Sequence, residues 1–234
     1  MVVLFMEVVD TLASLEGFPQ EMASLIKREV DVKASEDEVA ALIASEWVNR
    51  YNQLVSSGNY RSLRGLARDV MMTVVKKYSL GLGGRELEYW GDALANAFVT
   101  VARIYDDVEP ALNELSNLGV PMYILTNLDN DIAKKILLKN GLLRFFKGVV
   151  SSDLTRVGKP NVRIFNAALY RAKVNKEEAL IVSGLVEDII GGKLSQIRTV
   201  FVNRRQVNLT VKPDFTINSL MELPKLLANM GSQG

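Results

Sequence analysis

The sequence predicts an α/β protein built on a doubly wound parallel sheet, with an all-helical insertion after the first strand. Three observations carry this. Residues 2–9, VVLFMEVV, are short, rich in β-branched residues and apolar on both alternating faces, as a strand buried inside a parallel sheet must be. After Pro110, the apolar runs PMYILT, GVVSS, ALIVS and TVFVN alternate with amphipathic helical patterns, the rhythm of successive strand–helix units. Between these regions, residues 18–100 read as helix throughout. The expected division is therefore a core of residues 1–14 and 104–234, and a helical domain of residues 15–103.

Within the helical segment, Val39, Leu42, Ile43, Trp47, Tyr51 and Leu54 recur at three- and four-residue intervals, which predicts a helix from Ser35 to Ser57. Ser35 and Glu38 have the spacing of a capping box. Further helices are expected over Tyr60–Tyr78 and Arg85–Ile104, separated by the turn Leu80-Gly81-Leu82-Gly83-Gly84. A closing helix is expected from Ser219 to Met230. The apolar surface offered by Trp47, Trp90 and Phe98 either packs internally or contributes to a dimer contact, so monomer and homodimer both remain open.

The 234 residues suit one sizeable core with a smaller appendage. With 48% hydrophobic and 24% charged residues, the composition is that of an ordinary globular protein. A net charge of +1 without a basic block argues against a nucleic-acid partner. No apolar run approaches the ~18 residues of a membrane span, and Met1–Met6 is too short for a signal peptide, so a cytoplasmic protein is expected. The chain has no cysteine and no histidine. That excludes disulfides, thiolate nucleophiles, Ser-His-Asp triads and the usual zinc sites, leaving carboxylate, hydroxyl, amide and lysine chemistry.

Ligands of doubly wound sheets sit beyond the carboxyl ends of the strands, which directs attention to the residues there. The first strand delivers Glu7, Asp10 and Thr11, either a nucleophile-bearing edge or a strand-end charge with turn caps. The second ends in Thr126 and Asn127, where hydroxyl and amide could hold an anion, although small polar residues ahead of a helix are ordinarily caps. Lys159 precedes a proline that restricts its backbone to extended conformations, giving its ammonium a defined direction, whereas a lone lysine is usually solvated. The fourth strand ends in Ser183, followed by Glu187 and Asp188, which also read as acids favoured in a helix's first turn.

Taken in order, these pieces resemble the haloacid dehalogenase superfamily, and the branch of 2-haloacid dehalogenases with a helical cap most of all. VVLFMEVVDTL resembles the family's first motif, YILTN the second, SSDLTRVGKPNVRIF the third and LIVSGLVEDIIGGK the fourth. The resemblance implies a Rossmann-like core, with residues 15–103 as a cap that closes over the site. It implies a hydrolase in which the first-motif carboxylate attacks carbon or phosphorus and the resulting ester or acyl phosphate is hydrolysed by water. Thr11, four residues after Glu7, places Glu7 at the nucleophile's position. Thr126 and Asn127 would bind the anionic oxygens of a small anionic substrate, with Asp10 a further substrate-side group. Lys159 would balance the charge, and Ser183 and Asp188 would complete the catalytic set.

The motif departs from the family where it matters for chemistry. Glu7 stands in place of aspartate, and its additional methylene moves the attacking oxygen by about 1 Å, a displacement that can cost roughly a hundredfold in rate. Asp10, where the family has glycine, is the alternative carboxylate. The family's phosphatases use magnesium held by acids where this chain has Val9 and Ser183. A magnesium site here would fall to Glu7, the Val9 carbonyl, Glu187 and Asp188, a thin set. The metal-free dehalogenase branch requires fewer departures, so no cofactor is expected unless the activity is phosphatase-like. Leu185 and Phe165 depart from that branch, and Arg50, Arg61 and Arg64 are candidate halide ligands in the cap. The alternative is a catalytically inactive member that retains the fold to bind a small anion or another protein.

Overall fold

A computed structural model describes residues 2–57 and 59–231. The chain divides into two compact units, Met1–Ser14 with Arg103–Gly234, and Leu15–Ala102.

The first unit is a parallel α/β layer. Among the described residues its main sheet has six strands. These are β1 (Val3–Met6), β4 (Met122–Thr126), β5 (Phe146–Ser151), β6 (Ala179–Ser183), β7 (Arg198–Val202) and β8 (Phe215–Ile217). Their spatial order is β5-β4-β1-β6-β7-β8, and every pairing is parallel. β1 sits between β4 and β6 and all four of its residues are buried, which is why its sequence is apolar on both faces. Its register pairs Met6 with both Ile124 and Val182, so Glu7 emerges one step beyond, level with the ends of its two neighbours. The helices of this unit are α5 (Val108–Asn117), α6 (Asn130–Lys139), α7 (Ser152–Thr155), α8 (Val162–Ala172), α9 (Val186–Leu194) and α10 (Leu223–Gly231). One core cluster joins Phe5, Leu125, Val150 and Ile181 of the sheet to Ile164, Phe165 and Ala168 of α8.

α9 lies against the sheet and α8 so tightly that glycine is required at two positions. A Cβ at Gly191 would stand 2.2 Å from Phe165, and one at Gly192 would stand 2.4 Å from the Thr199 methyl. This packing sets where α9 begins, and with it the position of Asp188.

The second unit contains helices α1 (Phe18–Glu29), α2 (Glu36–Ser57), α3 (Leu63–Lys77) and α4 (Gly84–Val101). The expected capping box starts α2: Glu38 Oε2 accepts from the Ser35 N–H at 2.8 Å, and Ser35 Oγ accepts from the Glu38 N–H at 3.2 Å. Phe18, Trp47 and Phe98 form an aromatic cluster, with ring centroids 4.9–5.3 Å apart. Trp47, Trp90 and Phe98 are all buried, so they pack internally.

Two elements differ from the sequence pattern. The helix expected to reach Ile104 stops at Val101, and Arg103–Ile104 forms a short strand β3 that pairs antiparallel with β2 (Ala13–Ser14). Periodicity cannot see this switch, because Ala102, Arg103 and Ile104 continue the helical pattern while backbone pairing with Ala13–Ser14 is the stronger local outcome. β8 was not expected; three residues flanked by Asp214 and Asn218 are too few to display an alternation.

Gly191→Ala and Gly192→Ala are each expected to destabilise the protein by about 1–3 kcal/mol through overpacking. Urea denaturation measures this, and unchanged midpoints would contradict the close packing described for α9.

Candidate active site

The carboxyl ends of β1, β4 and β6 converge on one buried ammonium. Lys159 extends from the loop before α8, and its side chain is fully inaccessible to solvent. Its Nζ donates to Glu7 Oε2, to Asp188 Oδ2 at 2.7 Å, and more weakly to the Leu125 carbonyl at 3.3 Å. An ammonium has three donors, and all three are used. Ser183 Oγ also donates to Asp188 Oδ2, at 2.7 Å, and accepts from the Leu185 N–H. Asp188 Oδ1 is buried without a hydrogen-bond partner.

Glu7 is anchored at its other oxygen. Oε1 accepts from the backbone N–H groups of Val8 at 2.6 Å and Val9 at 3.1 Å, and from Thr126 Oγ1 at 2.7 Å. The additional methylene of glutamate lets the carboxylate fold back onto the peptide groups that follow it. Three donors on Oε1 against one on Oε2 leave the remaining acceptor capacity of the carboxylate on Oε2.

The group is electrostatically unbalanced, since one ammonium faces Glu7, Asp188 and the nearby Glu187, which lies in the first turn of α9. Burial alone would lower the Lys159 pKa, but the opposing fields of Asp188 and Glu7 outweigh it and hold the amine protonated, above the ordinary lysine range. Burial first, and then the charges of Glu7 and Glu187, push the Asp188 carboxyl up to about 7 against the opposing pull of Lys159.

The remaining sequence candidates lie around this group in supporting places. Asn127 is a clamp on the lysine loop: its Oδ1 accepts from the Lys159 N–H at 2.8 Å and its Nδ2 donates to the Lys159 carbonyl at 3.3 Å. The amide expected to meet substrate oxygens instead holds the peptide that carries the ammonium, and the Lys159–Pro160 bond that follows is cis. Thr11 ties two loops together, with its Oγ1 accepting from the Gly184 N–H at 2.8 Å and donating to the Val9 carbonyl at 3.2 Å. Asp10 adopts a left-handed backbone with φ of 53°, the conformation that favours glycine at such a place. Its carboxylate pairs with the Arg205 guanidinium rather than with Lys159. Val9 contributes only main-chain atoms to these bonds.

In the helical unit, Arg50 pairs with Glu46, Arg61 makes a two-pronged pair with Asp69, and Arg64 pairs with Asp92. All three candidate halide ligands are therefore matched to carboxylates.

Sequence reasoning missed Arg204 and Arg205, which follow β7. Arg204 donates to the Thr11 carbonyl and to Asp107, stacking over Tyr105, and so braces the loop after β1. Their position just past a strand's carboxyl end was the available signal. Also missed was the Val8–Val9 backbone as an anion-binding element, for which no side-chain pattern exists.

A family model described as haloacid dehalogenase-like hydrolase matches residues 7–195. The chain belongs to this family. It is 30% identical over 173 residues to (S)-2-haloacid dehalogenase 2 of Pseudomonas sp. (strain CBS-3), covering 73% of each chain. It is 27% identical over 170 residues to a phosphoglycolate phosphatase of Vibrio parahaemolyticus, covering 71% of this chain and 75% of that one. The HAD-hydrolase YfnB from Bacillus subtilis, solved with magnesium, superimposes with a TM-score of 0.81 over 97% of this chain and 98% of its own, at 21% identity. At that identity the likeness speaks for the fold. The family's relatives thus include both carbon–halogen and phosphate-ester hydrolases.

The raised Asp188 pKa has a sign that can be measured. Between the ordinary aspartate value of 3.8 and about 7, the folded protein holds a proton that the unfolded chain has released. This group therefore favours folding at the acid end of that window, and the stabilisation is lost as pH rises through about 7. The expected result is that wild-type unfolding free energy, taken relative to Asp188→Asn, falls as pH rises through the window. Parallel curves for the two proteins would contradict it.

Proposed function

We propose that this protein is a metal-independent hydrolase of the family that acts on a small organic anion, with Glu7 as nucleophile and a dehalogenase-like site. The observation that carries this reading is the Lys159 ammonium between Glu7 and Asp188. A magnesium ion needs several hard oxygen ligands at about 2.0–2.1 Å in octahedral array. Here both carboxylates are engaged by one cation, position 9 has no side-chain oxygen, and Ser183 directs its hydroxyl to Asp188. Among the described residues, no group of three acids is arranged to hold a metal. The donor set does not fit a divalent ion.

In this reading Glu7 Oε2 attacks the substrate carbon that bears the leaving group. A C–O ester bond forms as the C–X bond breaks, and the leaving group departs with the electron pair. Lys159 donates to Glu7 Oε2 and keeps it oriented. Water then attacks the ester carbonyl and gives its proton to Asp188, whose pKa of about 7 suits acceptance near neutrality. Hydrolysis releases the alcohol and regenerates Glu7.

The test is halide release from 2-chloropropionate and phosphate release from p-nitrophenyl phosphate, each with magnesium and with EDTA. Halide release that is unaffected by EDTA and lowered roughly 10³-fold or more by Glu7→Gln is expected. Turnover only of the phosphate ester with magnesium, or turnover that survives Glu7→Gln, would overturn the proposal.

A further inference from the structure

A second largely buried cation lies outside the group formed by Glu7, Lys159 and Asp188. The Arg204 side chain, 9% exposed, follows β7 and joins the two stretches of chain that flank residues 15–102. Its Nη1 donates to Asp107 Oδ2 and its Nη2 to the Thr11 carbonyl, each at 2.8 Å, and the guanidinium carbon lies 4.2 Å from the Tyr105 ring centroid. Asp107 Oδ2 also accepts from the Ser219 hydroxyl and the Leu220 N–H, both at 2.8 Å, so one prong of the guanidinium stands on a fixed base. The pair is incompletely satisfied, since Arg204 Nε and Asp107 Oδ1 are buried without hydrogen-bond partners. An ion pair taken out of water on those terms adds little net stability, and what it supplies is direction.

That direction is given to the loop that follows Glu7. The Leu12 and Ala13 N–H groups turn back onto the Val8 carbonyl at 3.0 and 2.8 Å, so residues 8–13 form one tight turn. Thr11 Oγ1 accepts from the Gly184 N–H at the end of β6 and donates to the Val9 carbonyl, and the Val9 N–H donates to Glu7 Oε1. Arg204 holds the same turn by the Thr11 carbonyl. We infer that Arg204 is a positioning residue, whose planar guanidinium fixes residues 8–13 against Asp107 so that the Val8 and Val9 amides meet the Glu7 carboxylate. The inference rests on the reading of Glu7 as nucleophile. Arg204 acts through Thr11 and not on the reacting atoms. Two nitrogens of one rigid plane reach its two acceptors, which the single nitrogen of a lysine cannot do. A misplaced Glu7 slows the attack while the contacts that hold substrate stay in place, so the effect falls on kcat and not on KM.

Arg204→Lys keeps a charge beside Asp107 but gives up the Thr11 carbonyl, and Arg204→Gln removes the charge as well. With 2-chloropropionate, both variants are expected to lower kcat roughly 10- to 100-fold with KM within about twofold of wild type. The second readout is amide hydrogen exchange by NMR, which needs no turnover. The Val9 and Gly184 amides are expected to exchange about tenfold faster in both variants, relative to the Phe165 and Ala168 amides of α8. An arginine that only adds stability would instead speed all four amides by a common factor. Wild-type kcat in Arg204→Lys, or exchange that rises by such a common factor, overturns the inference. Should Arg204→Gln not fold, Arg204→Lys decides alone. A wild type that releases no halide, or whose turnover survives Glu7→Gln, sinks the nucleophile reading by itself. The exchange ratio then decides whether Arg204 places the turn, with a local rise at Val9 and Gly184 supporting it and a common factor refuting it.

Discussion

Burying one ammonium between two carboxylates shapes the centre of this protein. Each ion taken out of water costs several kcal/mol, and only mutual attraction with complete hydrogen bonding offsets it. Lys159 meets that condition by using its three donors on Glu7, Asp188 and the Leu125 carbonyl. The demand extends outward. Asn127 grips the Lys159 peptide on both sides, Ser183 supports Asp188, and the close fit of Gly191 against Phe165 fixes the helix from which Asp188 projects. Loss of Lys159 would leave two buried carboxyl groups without their shared cation.

The two acids that meet this ammonium are held differently. Glu7 has four hydrogen bonds, three on Oε1 and one on Oε2. Asp188 has its partners on one oxygen and a buried, unpartnered second oxygen, and it takes the raised pKa. Two carboxyl groups on a single cation are thereby differentiated by hydrogen-bond supply.

Much of the fold was legible because parallel strands and amphipathic helices have distinct periods. VVLFMEVV, PMYILT, GVVSS, ALIVS and TVFVN all fall on strands of the main sheet, and the Ser35–Glu38 capping box is present. β8 and the β2–β3 ladder were not legible, since elements of two or three residues owe their existence to a neighbouring backbone and not to their own pattern. Within the site, the sequence indicated Glu7, Thr126, Lys159, Ser183 and Asp188, and the structure brings these five into one hydrogen-bonded group. Asn127, Thr11 and Asp10 were legible as polar residues at strand ends, but not as a peptide clamp, a loop tie and the partner of Arg205.

By itself, the sequence determined the parallel sheet, the helical insertion, the exclusion of thiol and histidine chemistry, and the strand ends where chemistry had to lie. Those follow from composition and from local periodicity, which neighbouring residues in the chain express without reference to anything distant. Only the tertiary structure decided which donor meets which acceptor. Glu7 and Lys159 are 152 positions apart, and Glu7 and Thr126 are 119. Hydrogen bonds over such separations depend on sheet register and loop direction to within a fraction of an ångström, and the folding of a glutamate onto its own backbone amides is a matter of reach that no one-letter pattern records.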